Sequence, residues 1–189
     1  MLVDLLSEKR AAVLQKWFDA VINSYPAETA RFLRTQKDRF ANPVGQAILE
    51  GTEGILEELF KYLGDEGRID SGRVSGFLDS IIRVRAIQDF TPSGAVWFIF
   101  QLKEVVREEF ARDLKEDPRM HAELARLEHG IDELALLSFD IFMKCREQIY
   151  HIKADEERRG LYRLLQQARI ITGEAEEKNG AGGKDEKEI

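Results

Sequence analysis

The chain has 189 residues, 28 Lys plus Arg against 35 Asp plus Glu, and a formal charge of -7, a length that fits one domain. With 43% apolar and 33% charged residues it has a globular composition, and its longest uninterrupted apolar stretch, Ala95 to Phe100, is far short of a membrane span. The acidic balance argues against general nucleic-acid binding, which relies on Lys and Arg displacing counterions, and the lone Cys145 rules out an internal disulfide or a Cys-built zinc site.

Met1-Leu2-Val3-Asp4-Leu5-Leu6 carries an early acid, no basic region and no small-residue cleavage site, so no signal peptide is predicted and the cytoplasm is the expected compartment. The four prolines, Pro26, Pro43, Pro92 and Pro118, stand where a 3.6-residue apolar pattern breaks and restarts, as proline in the first turn of a helix does. No stretch alternates apolar and polar residues long enough for a half-buried strand. The predicted class is all-α, a globin-like or orthogonal bundle of about six helices.

The first helix is expected over about Asp4 to Asn23, with Leu6, Val13, Leu14, Trp17, Phe18 and Val21 on one face. A short helix follows Pro26, and after the Lys37 to Asn42 connector Pro43 opens a helix carrying Ile48, Ile55, Leu56, Leu59 and Leu63, ended by Gly64 and Gly67. The next spans about Ser71 to Phe90. Thr91-Pro92 then supplies an N-cap and a first-turn proline for a helix so apolar over Ala95 to Phe100 that it is expected at the centre of the bundle.

Beyond Asp117-Pro118 the pattern is helical to about Gln167, with a bend or interruption expected at Gly130 and a weakening at Gly160. One helix from Ile131 to Gln167 would be roughly 55 Å long, against about 40 Å for a compact domain of this size. Its projecting end would carry Leu161, Leu164, Leu165, Ala168 and Ile171, which favour a partner helix over water and point to a homodimer; the alternative is a kink at Gly160 that folds this stripe back. The domain is expected to span residues 1–173, with a disordered charged tail over 174–189.

Chemistry-bearing motifs are sparse. The residues three before His121, His129 and His151 are Pro118, Arg126 and Gln148, which excludes the Glu-x-x-His pairs of a bundle di-iron site. His129 with Glu133, and Glu147 with His151, have i, i+4 spacing, read first as surface pairs and only secondarily as metal ligands. There is no Gly-x-Ser-x-Gly, phosphate-binding loop, dinucleotide fingerprint or His-Glu-x-x-His, so no catalytic residue, cofactor or metal is expected. Cys145, beside Phe142, Ile141 and Ile149, reads as a small buried hydrophobe.

One oddity stands out. Val74, Phe77, Leu78 and Ile81 define an apolar stripe whose next positions are Arg85 and Gln88. Burying an unpaired guanidinium is costly, so Arg85 is expected to meet a carboxylate, with Asp140 or Asp132 as candidates. The alternative is a ligand pocket that Arg85 and Gln88 line together with Trp97 and Phe98.

Taken in order, Lys16-Trp17-Phe18, Ser24-Tyr25-Pro26, Gln36 to Gly45, Arg85 to Ser93 and Phe139 to Glu147 resemble the RsbRD-type N-terminal domain of RsbT co-antagonist proteins, over about Leu2 to Arg159. The resemblance implies a sensory or regulatory module of bacterial stress signalling, related to stressosome sensor heads that are dimeric, haem-free and globin-like. Short stand-alone members that this chain also resembles are associated with sulfate-reducing bacteria. In longer members the domain precedes a STAS or other signalling module. This sequence carries a charged tail there, so output is expected through a signalling-protein partner or through dimerisation.

The leading expectation is thus a non-catalytic, cytoplasmic, homodimeric regulatory domain without membrane insertion. The alternatives are a small-molecule or haem sensor with a pocket between the central helices and, behind it, a metal-dependent enzyme.

Overall fold

The computed structural model describes residues 2–36, 38–64, 68–88 and 90–168. They form eight helices and no strand: α1 (Leu2–Glu8), α2 (Arg10–Asn23), α3 (Ala27–Thr35), α4 (Pro43–Gly64), α5 (Ser71–Ile87), α6 (Pro92–Glu109), α7 (Ala111–Glu116) and α8 (Met120–Gln167). The all-α class is as expected. The chain divides into two compact units, Met1–Glu147 and Gln148–Ile189.

In the first unit α2 packs against α3, α4 and α6, α4 against α1, α3 and α5, and α5 against α6. One continuous core includes Trp17, Ile48, Ile55, Leu78, Phe98, Phe110, Leu127 and Phe142. Trp17 fixes α2 to α6: its ring stacks 6.2 Å from Phe98 and its Nε1–H donates to the Phe98 carbonyl at 2.7 Å. The first part of α8 is tied on by polar contacts. Glu123 accepts from the Leu2 amide at 2.7 Å, Arg126 donates to the Tyr62 carbonyl at 3.1 Å, and Arg146 donates to the Ala86 carbonyl at 3.1 Å.

Helix starts follow the sequence logic. Pro43 and Pro92 are the first residues of α4 and α6, and Thr91 Oγ1 accepts from the Gly94 amide at 3.1 Å as an N-cap. Buried Asn42 joins two helices. Its Nδ2 donates to the Leu33 and Gln36 carbonyls at the end of α3, and its Oδ1 accepts from the Gly45 amide in the first turn of α4, each at 2.9 Å.

Four expectations are corrected. The helix expected over Asp4 to Asn23 breaks at Lys9, whose Nζ turns to the Glu109 carbonyl at the end of α6 and to Asp113 at 3.1 Å. The helix expected to reach Phe90 ends at Ile87, because Gln88 takes an extended backbone (ψ 160°) ahead of the α6 N-cap. α6 is not enclosed on every side: Ala95, Phe98 and Ile99 are buried, but Trp97 is 51% exposed. Finally, α8 is helical through Gly130, where a Cβ would meet the Tyr62 ring at 2.9 Å, so this glycine makes room for a neighbour rather than a break; the helix also continues through Gly160.

The described part of the second unit is the remainder of α8 and Ala168. Leu161, Leu164 and Ala168 are exposed and Leu165 is half-buried. Ile171 and the tail expected from Glu174 lie outside the described residues.

The approach of α4 to α5 depends on the absence of a side chain at Gly51, where a Cβ would lie 2.7 Å from Ile81 Cδ1 and 3.1 Å from the Phe77 carbonyl oxygen. Ile81 is fully buried and has nowhere to move. Gly51→Ala is expected to destabilise by about 1–3 kcal/mol in urea unfolding. Gly76→Ala, in an open position on α5, is expected to stabilise by about 0.5–1 kcal/mol.

Candidate functional site

Arg85 sits in the last turn of α5, fully buried, and no acid among the described residues forms an ion pair with it. Instead its guanidinium carbon lies 5.2 Å from the Tyr25 ring centroid, 4.9 Å from Phe90 and 4.9 Å from Phe98. All three separations fall within cation–π range. The forked nitrogens donate to the Ser24 hydroxyl at 2.8 Å, the Gly94 carbonyl at 3.2 Å, and at longer range the Val21 and Ala95 carbonyls. One side chain therefore draws together the end of α2, the end of α5 and the start of α6.

The early end of α5 creates this arrangement. Once Gln88 leaves helical geometry, Phe90 comes edge-on to Tyr25 with ring centroids 5.3 Å apart. Tyr25, Pro26, Thr29, Gln88, Phe90 and Thr91 line a cavity of about 540 Å³. The Tyr25 hydroxyl and the Arg85 guanidinium are buried together and interact with each other, and the Gln88 Oε1 atom is buried nearby without a hydrogen-bond partner. Burial pushes the Tyr25 phenol up from its ordinary value and pulls the Arg85 guanidinium down from its own. A guanidinium starts so high that it keeps its proton at neutral pH.

The carboxylate expected opposite Arg85 is neither Asp140 nor Asp132. Asp140 is exposed on α8, and Asp132 accepts from Lys103 at 2.6 Å. Aromatic faces, a hydroxyl and helix-end carbonyls stand where an acid was expected. Of the residues grouped in the sequence reading, Arg85 and Phe98 meet in the cage and Gln88 lies on the neighbouring cavity. Trp97 faces the other way, into a separate groove of about 730 Å³ between α6 and α8 that Val96, Phe100, Ala135, Leu136 and Phe139 also line. Leu136 is 71% exposed, and Phe139 and Met143 are also open to solvent.

Tyr25, Ser24 and Phe90 were missed as site residues although they stand beside Pro26 and Thr91-Pro92, the breaks from which the helices were placed. Aromatic residues flanking two such breaks were the available signal. His121, His129 and His151 are exposed on α8, and His129 Nε2 lies 3.3 Å from Glu133 as a surface pair. No group of three or more His, Cys, Asp or Glu gathers among the described residues. Burial raises the Cys145 thiol, in keeping with a packing role.

A family model described as the RsbT co-antagonist protein rsbRD N-terminal domain matches residues 11–158. The chain belongs to this family, whose members are stressosome-type signalling sensor domains. No curated protein and no solved structure matches the chain significantly. No described helix is long and apolar enough to cross a membrane.

Because Arg85 has no ion-pair partner among the described residues, its stabilising contribution comes from packing and from bonds whose acceptors keep other partners; Val21 O, for example, also accepts from Ser24 Oγ at 2.6 Å. Arg85→Ala is expected to cost about 3 kcal/mol in urea unfolding through the void left among three rings. Arg85→Met, which refills that space without a charge, is expected to restore most of it. Equal losses in both variants would show that the charge itself holds the cage together.

Proposed function

We propose that the chain is a non-catalytic regulatory module of bacterial signalling, working in the cytoplasm through self-association and protein contact. The observation that carries this reading is the exposed apolar face of α6 and α8 in the first unit: Trp97, Leu136, Phe139 and Met143, beside a groove with little polar lining. Contiguous apolar surface with a large aromatic at its centre is what association interfaces use as an anchor. A second copy is the occupant that fits, because an isologous contact needs one self-complementary patch, and the exposed Trp97 with the apolar groove it lines is such a patch on each copy.

In the second unit, exposed Leu161 and Leu164 with Leu165 and Ala168 form a further apolar stripe at helical spacing. It supports the same reading as a helix-to-helix contact between copies. Membership of a signalling sensor family supports a regulatory output through a protein partner.

Sedimentation equilibrium of the full chain over about 1–100 μM, a range that resolves micromolar association, is expected to show a monomer–dimer equilibrium. Leu136→Glu with Phe139→Glu is expected to weaken it by at least about tenfold, as buried charge at an apolar contact does. Leu161→Glu with Leu164→Glu is expected to weaken it as well. A monomer throughout the range, or a dimer indifferent to both pairs of substitutions, would contradict the reading.

A further inference from the structure

We infer that the recess beside Phe40, at the turn between α3 and α4, is a docking surface for the outer ridge of α8 from a second copy of the chain, with Met143 entering the recess and Asp140 and Lys144 meeting Arg39 and Glu50. The inference rests on the self-association proposed above and adds to the Trp97 patch a second contact, which joins two unlike surfaces.

The turn holds an aromatic ring out in water. Phe40 is 95% exposed, yet the backbone that carries it is tied at each step. Asp38 Oδ1 accepts from the Phe40 amide at 2.9 Å, the Asp38 amide donates to Gln36 Oε1 at 3.1 Å, and the Asn42 amide closes the turn on the Asp38 carbonyl at 2.8 Å. A ring presented in this way loses little backbone freedom when a partner covers it. A lone exposed phenyl would need no explanation, but this one borders a recess of about 570 Å³ that Pro43 and Ala47 line with it, together with Arg39, Gln46 and Glu50. Arg39 and Glu50 lie 3.5 Å apart in a loose, exposed pair, so each can turn to a new partner at little cost.

The outer ridge of α8 has the complementary features. Leu134, Ser138, Phe142 and Cys145 mark the buried face of this helix, and at 100° per residue Met143 and Asp140 stand nearly opposite it. Met143 is 46% exposed. Its side chain is unbranched and flexible, which suits an irregular recess, and its sulfur suits contact with a ring such as Phe40. Asp140 and Lys144 lie one turn apart on the same edge of the ridge, both exposed, and neither has a partner among the described residues. The recess therefore offers one cation and one anion, and the ridge one anion and one cation. Both charges are met in one register and opposed in the reverse, which orients the contact. A purely anionic surface would suit Arg39 but would be repelled by Glu50 and by a chain of net charge -7.

Sedimentation velocity of the full chain at low salt, over about 1–100 μM, tests the contact. Phe40→Ala is expected to weaken self-association by about tenfold and Met143→Ala by about threefold. The Phe40 ring is open to water in the single chain, so the urea midpoint of Phe40→Ala is expected to stay where it is. Arg39→Glu and Asp140→Arg are each expected to weaken association by about threefold. An equimolar mixture of these two variants is expected to regain most of the loss, because every recess then faces a ridge of complementary charge. No recovery in the mixture would overturn the inference. A dimer that Leu136→Glu with Phe139→Glu weakens, but that Phe40→Ala and Arg39→Glu leave unchanged, would overturn it and leave the Trp97 contact standing, whereas a monomer throughout would overturn both. Phe40-dependent binding to vesicles containing phosphatidylserine, with self-association untouched by Phe40→Ala, would assign the turn to a membrane surface and overturn it as well.

Discussion

The structure turns on one buried cation. A guanidinium taken out of water without an acid is costly unless something else meets its charge and its five donors. Around Arg85 that role is divided between the faces of Tyr25, Phe90 and Phe98 and the oxygens of Ser24, Val21, Gly94 and Ala95. The partners come from two stretches, Val21, Ser24 and Tyr25 at the end of α2 and Phe90, Gly94, Ala95 and Phe98 at the start of α6, so the Arg85 side chain packed between them sets both against the end of α5 that carries it. Trp17, which stacks on Phe98 and bonds to its carbonyl, extends this constraint into the core.

Phe98 and Trp97 are adjacent on α6 and face opposite ways. Phe98 closes the Arg85 cage, while Trp97 stands in the groove against α8. α6 therefore starts beside the cavity at a helix junction and carries an exposed apolar surface. For a sensor domain this is a useful economy: a rigid helix that shifts at its N-terminal end, where Thr91 caps it beside the cavity, shifts the indole less than two turns further along. Helices pack in discrete arrangements rather than deforming continuously, so such a shift is the kind of element on which regulation acts.

Much of the helical frame was legible because its punctuation is local. Proline at the first turn of α4 and α6, the Thr91 cap and the apolar spacing of α2 and α4 act within a few residues of themselves and needed no tertiary knowledge. What periodicity could not supply was the identity of partners across the fold. It marked Arg85 as a polar residue on an apolar stripe, and burial agrees, but charge logic pointed to Asp140 or Asp132, whereas aromatic rings and oxygens from the end of α2 and from just beyond α5 took the place of the acid. Gln88 was placed on the helix face and instead lies past its end, because the α6 cap required an extended residue there. Gly130 was read as a break from its helix propensity alone, and the Tyr62 ring packed over it explains its presence without one. The Trp97 face looked enclosed because composition registers how apolar a helix is and not how many neighbours it has.

The most direct test is the side-chain NMR signal of Arg85 in uniformly ¹⁵N-labelled protein, assigned with Arg85→Met. Held between three ring faces and shut away from water, its Nε–H proton is expected well upfield of the other arginines, exchanging slowly with solvent and still protonated at neutral pH. An Arg85 signal at the ordinary position with rapid exchange would mean that the cation is solvated, and the constraint on which the helix junctions and the cavity depend would not exist.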